Sequence, residues 1–230
     1  MSDDIWYNIR MTVFVTAMPG EAQTVLGNMT EVVQSEACGK KIYSGRLCGR
    51  PTAVVVTDVG KVNAACGAQY AIDALNADKI INIGVAGGLN EHTSVGQIYG
   101  ISHVVQYDFD LAQLNGTTIG TLNEFAEPYL TLAKTEIYEL RRLGTGDRFN
   151  DSAADYSLLT HDLKADIRDM ECGAIAQVCA HAGVRLYAFK CISDVAGSGS
   201  TTEQYMKNLE HCFKELTSAV PAIFEGVENE

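Results

Sequence analysis

Residues 79–85 read Lys-Ile-Ile-Asn-Ile-Gly-Val, apolar at nearly every position, and run straight into the turn Gly84-Val85-Ala86-Gly87-Gly88. A strand with one wet face alternates apolar and polar residues. One without that alternation is covered on both faces, so it belongs inside a sheet with helices on either side. Residues 184–192 have the same character, and 12–16 (Thr-Val-Phe-Val-Thr) form a shorter β-branched run. Further strands are expected at 42–47 paired with 53–57, at 95–106, at 129–133 and at 136–143. Helical spacing marks 21–26, 171–182, 202–220 and 62–75, the last with Val62, Ala65, Cys66, Ile72 and Leu75 on one face. Strands alternating with helices define a layered α/β fold. No repeat or linker interrupts the pattern, so residues 1–230 read as a single domain whose acidic end, 225–230, frays.

Charge narrows the partners. Seventeen Lys and Arg against twenty-nine Asp and Glu give a formal charge of −12. Such a chain repels phosphate backbones, so neither nucleic acid nor an anionic membrane surface is expected as a partner. No apolar run reaches the ~20 residues of a membrane span. The first residues, Met-Ser-Asp-Asp-Ile-Trp-Tyr, put acid where a signal peptide carries base. Seven cysteines (38, 48, 66, 172, 179, 191 and 212) are odd in number and scattered, without a C-x-x-C pair. They read as reduced thiols of a cytoplasmic protein, most of them small core residues.

Common cofactor and nucleophile motifs are missing. The glycines at 84, 87 and 88 are not in G-x-G-x-x-G register. Gly60-Lys61 lacks both the leading glycine and the following Ser or Thr of a phosphate loop. Histidines 92, 103, 161, 181 and 211 have no ligand-like spacing, and no G-x-S-x-G elbow is present. No metal and no cofactor are therefore expected. What remains is a set of carboxylates and aromatics where strands end among glycines: Glu21, Asp147 with Phe149, Met170 with Glu171, and Asp194. In open α/β sheets ligands bind beyond the carboxyl ends of strands, where such residues can converge. Asp147 reads as structural, closing its glycine turn through backbone hydrogen bonds.

Six segments occur in a familiar order: Ala17-Met18-x-x-Glu21, Val59-Gly60-Lys61-Val62-Asn63-Ala64-Ala65, Gly84-Val85-Ala86-Gly87-Gly88, Gly146-Asp147-x-Phe149, Met170-Glu171 and Ser193-Asp194-Val195-Ala196. With Tyr107-Asp108-Phe109-Asp110 they resemble the nucleoside phosphorylase/nucleosidase superfamily, in its 5′-methylthioadenosine/S-adenosylhomocysteine nucleosidase branch, from about residue 11 to the last helix. The resemblance implies a three-layer α/β/α sandwich around a twisted mixed sheet, a homodimer, and cleavage of the bond between purine N9 and ribose C1′. It implies Asp194 as the acid that protonates purine N7, with Ser193 orienting it, and Glu21 as the base that takes a proton from water. Glu171 would accept the ribose hydroxyls and Met170 would pack on the sugar. Phe149 would stack on the purine, backbone groups of Phe149 and Asn150 would read its edge, and Met18 and Val59 would line the sugar and 5′ side.

The sequence also departs from that pattern. Val85 stands where the family has a small hydroxyl residue, and Lys190 replaces an arginine near the water site. The segment between Asp110 and Asp147 is shorter than the family pattern. No early arginine is available to clamp phosphate, which favours water as the nucleophile. The expected substrate is a 5′-thio-substituted adenosine. Two alternatives stand beside this reading, a phosphate-dependent phosphorylase and a nucleoside-binding protein with little turnover.

Overall fold

A computed structural model describes residues 10–230; residues 1–9, before the family-like start, lie outside it. In chain order the strands are β1 (Met11–Thr16), β2 (Met29–Ala37), β3 (Lys40–Leu47), β4 (Arg50–Val56), β5 (Ala77–Gly88), β6 (Ile98–Gln106), β7 (Leu130–Thr131), β8 (Leu140–Thr145), β9 (Ile167–Asp169) and β10 (Arg185–Val195). The helices are α1 (Pro19–Leu26), α2 (Lys61–Asp73), α3 (Ala112–Asn115), α4 (Ala153–Ser157), α5 (Cys172–Ala182) and α6 (Thr201–Glu228).

All ten strands belong to one mixed sheet. Alternate side chains of its central strands enter different cores, as a twofold pleat requires. Val13, Val15 and Ile80 face a core shared with Ala64, Ala68 and Ala71 of α2 and Ile175 and Cys179 of α5. Phe14, Ile81 and Ile83 face the opposite core, shared with Ala22 and Val25 of α1 and Leu216, Val220 and Phe224 of α6. The result is the three-layer sandwich around a mixed sheet expected from the sequence.

β5 organises the sheet. One edge runs parallel to β10 from Lys79 to Gly88. The other pairs with β1 as far as Val15↔Asn82, and pairs again, with β9, only at Gly87↔Arg168 and Gly88↔Ile167. Between Asn82 and Gly87 that edge has no strand partner, so the sheet forks there. Beyond the fork, β10 pairs with β6, β6 with β8, and β8 with β9, closing β5, β10, β6, β8 and β9 into a ring.

Four expectations need correction. The buried stripe of α2 is Ala64, Gly67, Ala68 and Ala71, whereas Val62 and Cys66 are exposed. Small residues win because they allow α2 to sit close: a Cβ on Gly67 would lie 2.3 Å from Thr57 Cγ2. The 129–133 and 136–143 strands shrink and shift to the two-residue β7 and to β8. The acidic end does not fray before Glu228. Val227 is buried, its carbonyl accepts Lys79 Nζ at 2.7 Å, and Glu228 accepts Thr12 Oγ1 and, at 2.8 Å, Arg50. Finally, Asp147 does not close its own turn. Its Oδ1 accepts the Lys61 N–H at the start of α2, 2.8 Å away.

Candidate active site

A cavity of about 370 Å³ opens at the fork in the sheet, a size suited to a small organic ligand. Its chemistry begins with Glu21, in the first turn of α1. The carboxylate is buried, 4% exposed, and is held by backbone amides: Oε2 accepts Ala17 and Met18 N–H, each at 3.0 Å, and Oε1 accepts Val85 N–H at 2.9 Å. The Val85 amide lies on the stretch of β5 that lacks a strand partner, so the carboxylate satisfies a donor that a neighbouring strand otherwise would. A glycine at 84 makes this possible, since a Cβ there would stand 2.2 Å from Glu21 Oε1. The Val85 side chain thus matters less than its amide. Burial raises the Glu21 pKa; the charge of Lys190 and the three amides oppose it.

Asp194 reaches the cavity from β10. Opposite it the ladder slips, Ile192 pairing with Ala86 and Asp194 with Gly87, so Ser193 has no partner of its own. Such bulges re-aim side chains beside active sites. Ser193 Oγ lies 2.8 Å from Asp194 Oδ2 and 3.3 Å from the Ala86 carbonyl, so its one proton can serve either oxygen. Asp194 is 2% exposed, and burial raises its pKa against the hydrogen bond from Ser193 and the charge of Arg168.

The third acid, Glu171, occupies the N-cap position of α5 without capping it; Asp169 Oδ2 takes the Cys172 N–H instead, at 3.0 Å. Glu171 Oε1 accepts the Gly60 N–H at 2.9 Å, and its other oxygen has no hydrogen bond among the described residues. Burial and the neighbouring Asp169 push its pKa up to about 7, against Lys190 and the Gly60 amide. Behind it Lys190 Nζ contacts Asp169 Oδ2 at 2.9 Å, with both side chains at most 2% exposed. Burial alone would lower the lysine pKa, but Asp169, Glu171 and Glu21 raise it. Three carboxylates therefore surround one ammonium in a dry site. Three acids around one base bias the cavity toward a cationic ligand.

The apolar wall is made by Met18, Val59, Val85, Phe149, Met170 and Tyr205. Tyr205 donates to Met18 Sδ at 3.4 Å and meets the Phe149 ring edge-on, centroids 5.5 Å apart. Phe149 and Val59 are about half exposed at the mouth. Nine of the ten residues expected from the sequence line this cavity. Asn150 does not: its side chain bonds Asp155 at 3.1 Å and the Ser152 amide at 3.0 Å. The sequence reading missed Arg168 and Asp169, although they directly precede Met170, and placed Tyr205 only within the helix expected over 202–220. Among the described residues no three His, Cys, Asp or Glu side chains gather as a metal-binding set.

A forked α/β sheet presenting several buried carboxylates around a cavity for a small organic molecule defines the class as far as geometry can: a site suited to acid–base chemistry on a small ligand. The phosphorylase superfamily model matches residues 12–225. The chain is 30% identical over 195 residues to the 5′-methylthioadenosine/S-adenosylhomocysteine nucleosidase of Haemophilus ducreyi, covering 79% of this chain and 84% of that one. Its fold is similar to that of the Helicobacter pylori enzyme of the same name, with a TM-score of 0.86, 19% identity and coverage of 94% and 98%. It is similar also to H. pylori futalosine hydrolase, at 0.84, 20%, 91% and 95%. The chain belongs to the phosphorylase superfamily, in the family of the 5′-methylthioadenosine/S-adenosylhomocysteine nucleosidases.

Proposed function

We infer that this protein hydrolyses the N-glycosidic bond of a purine nucleoside, with methylthioadenosine and adenosylhomocysteine, the compounds named for its relatives, as the first substrates to test. One observation carries the reading. Glu21 lies against Gly84 and Asp194 against Gly87, three residues apart on one strand, so roughly 10 Å separates their stations. That span leaves room for a ribose and the imidazole side of a purine between base and acid. Asp194, whose pKa burial raises, gives its proton to N7 as the N9–C1′ bond breaks and the electron pair moves into the base. Water then bonds to C1′ and yields its proton to Glu21. The free oxygen of Glu171 accepts the ribose hydroxyls, and the surrounding carboxylates stabilise the cationic sugar. Met170 packs on the sugar and Phe149 on the purine face.

Water is favoured over phosphate by what surrounds Val85. Its amide, a natural anion donor, is already occupied by the Glu21 carboxylate, and Lys190 is spent on Asp169. The test is chromatography of free base from methylthioadenosine, adenosylhomocysteine, adenosine and inosine, with and without phosphate. Release without phosphate is expected. Strict phosphate dependence would make the protein a phosphorylase, and binding without release would make it a nucleoside-binding protein. The homodimer belongs to the same reading: Val62 is 75% and Val59 47% exposed, flanking the Gly60 turn that holds Glu171. No helix of the described residues is long and apolar enough to cross a membrane.

A further inference from the structure

The mechanism above uses neither of the two cations that line the cavity among the described residues, Arg148 and Arg168, and Arg168 is the buried one. It sits on β9, opposite Gly87, and is only 9% exposed. A guanidinium carries five N–H donors and stays charged, so burying it without acceptors is unfavourable. Yet no hydrogen bond or ion pair joins its side chain to any other described residue, although Arg148, on the same cavity, is paired with Asp155 at 2.9 Å. The donors of Arg168 therefore await an acceptor that no other described residue supplies.

Its position says which acceptor. A Cβ built on Gly87 would lie 3.0 Å from Asp194 Oδ1 and 3.2 Å from Arg168 Nε, so acid and guanidinium share the space over one glycine. On the reading above, Asp194 faces N7. The group next to N7 on a purine edge is the substituent at C6. A 6-oxopurine presents two adjacent acceptors there, N7 and O6, the edge that arginine recognises in nucleic acids; a 6-amino purine presents an acceptor and a donor. An exocyclic amine offers Arg168 nothing, whereas O6 satisfies it. During bond cleavage the electron pair entering a 6-oxopurine spreads onto O6, where a fixed cation stabilises it.

We propose that Arg168 is a base-recognition residue that extends the activity of this site to nucleosides of 6-oxopurines, donating to O6 while Asp194 serves N7. The proposal rests on the hydrolase reading and deepens it. No atom moves at Arg168: the proton to N7 still comes from Asp194, and Glu21 still takes the proton of water.

The test compares wild type, Arg168→Met and Arg168→Lys on two pairs that differ only at C6: methylthioadenosine with methylthioinosine, and adenosine with inosine. Calorimetry adds the affinities for free hypoxanthine and adenine. In wild type, kcat/KM for each 6-oxo member is expected within about tenfold of its 6-amino partner. In Arg168→Met the 6-oxo to 6-amino ratio and the hypoxanthine affinity should each fall by at least about tenfold, because a buried acceptor loses its donor. Arg168→Lys, which keeps charge but loses the fork, should recover part of that loss and shows that the effect is not misfolding. An unchanged ratio in Arg168→Met, or a wild type that neither cleaves nor binds 6-oxo compounds, overturns the proposal. Absence of base release from all four nucleosides would sink the hydrolase reading instead, and the loss of hypoxanthine binding in Arg168→Met would still decide the role of Arg168.

Discussion

Each of the three acids given a role in the proposed reaction is distinguished by what its oxygens touch. Glu21 is held by three amides, Asp194 by one serine hydroxyl, and Glu171 by a single amide with one oxygen free. Removing the proton source or the base while leaving shape intact should therefore abolish turnover more than binding. Asp194→Asn and Glu21→Gln should each lower kcat by about 10²–10⁴-fold, read as base release, with purine affinity measured separately by calorimetry. Near wild-type turnover in either variant removes that residue from the mechanism.

The same burial sets a pH dependence. Glu171 titrates near 7 in the folded chain against an ordinary 4.5, and Glu21 and Asp194 shift upward as well. Between those values the unfolded chain has released protons that the native site keeps. The stability these groups contribute is therefore fully present below about pH 4.5 and declines as pH rises through 7. Thermal denaturation should show a lower Tm at pH 8 than at pH 5.5, and Glu171→Gln should flatten the difference. A Glu171→Gln variant whose Tm depends on pH as steeply as that of wild type would contradict the upward shift of Glu171.

At the scale of elements, Gly84 ties β5 to α1. An alanine there places its Cβ on the Glu21 carboxyl, the far end of a flexible side chain that can move away. Gly84→Ala should consequently leave the Tm within a few degrees and cut kcat by about 10²-fold or more, because the base loses its three amides. Urea unfolding alongside base release separates the two effects; large destabilisation would show that the glycine serves packing. This juxtaposition of residues 21 and 84 was not legible in the sequence, although the elements carrying them were. The long apolar runs of β1, β5 and β10 announce themselves because burial on two faces leaves a pattern. β2, by contrast, is an exposed edge with Glu31, Glu36 and no alternation, so nothing in 29–37 marks a strand. The α2 stripe was misread because alanine and glycine make a close seam while contributing little hydrophobicity. The site residues were legible only as a motif order; Arg168, outside every motif, became visible through its burial and its missing partner.

For the whole molecule, the exposed Val59 and Val62 give the proposed homodimer a checkable form. Sedimentation equilibrium should return twice the 24.8 kDa chain mass, and Val62→Asp should shift the population toward monomer. A monomer at every concentration would assign that patch elsewhere. Because Gly60, between these valines, holds Glu171, a monomerised variant should also bind nucleoside more weakly.

The five-stranded ring beyond the fork has a consequence for how the protein comes into being. Synthesis delivers the N-terminal segments first. Glu21 and its partner amides at 17, 18 and 85 all lie in the first 85 residues, so the water-side half of the site can assemble early. The other half waits: β9 bridges β5 to β8 through three residues, and Asp194 arrives only with β10, whose Arg185 pairs back to Lys79. Pairings between such distant segments form slowly, after their loops have closed. On the proposed mechanism, a nascent or truncated chain ending before β10 would hold the general base without the acid and could not cleave a nucleoside, so the first turnover would coincide with the closing of the ring.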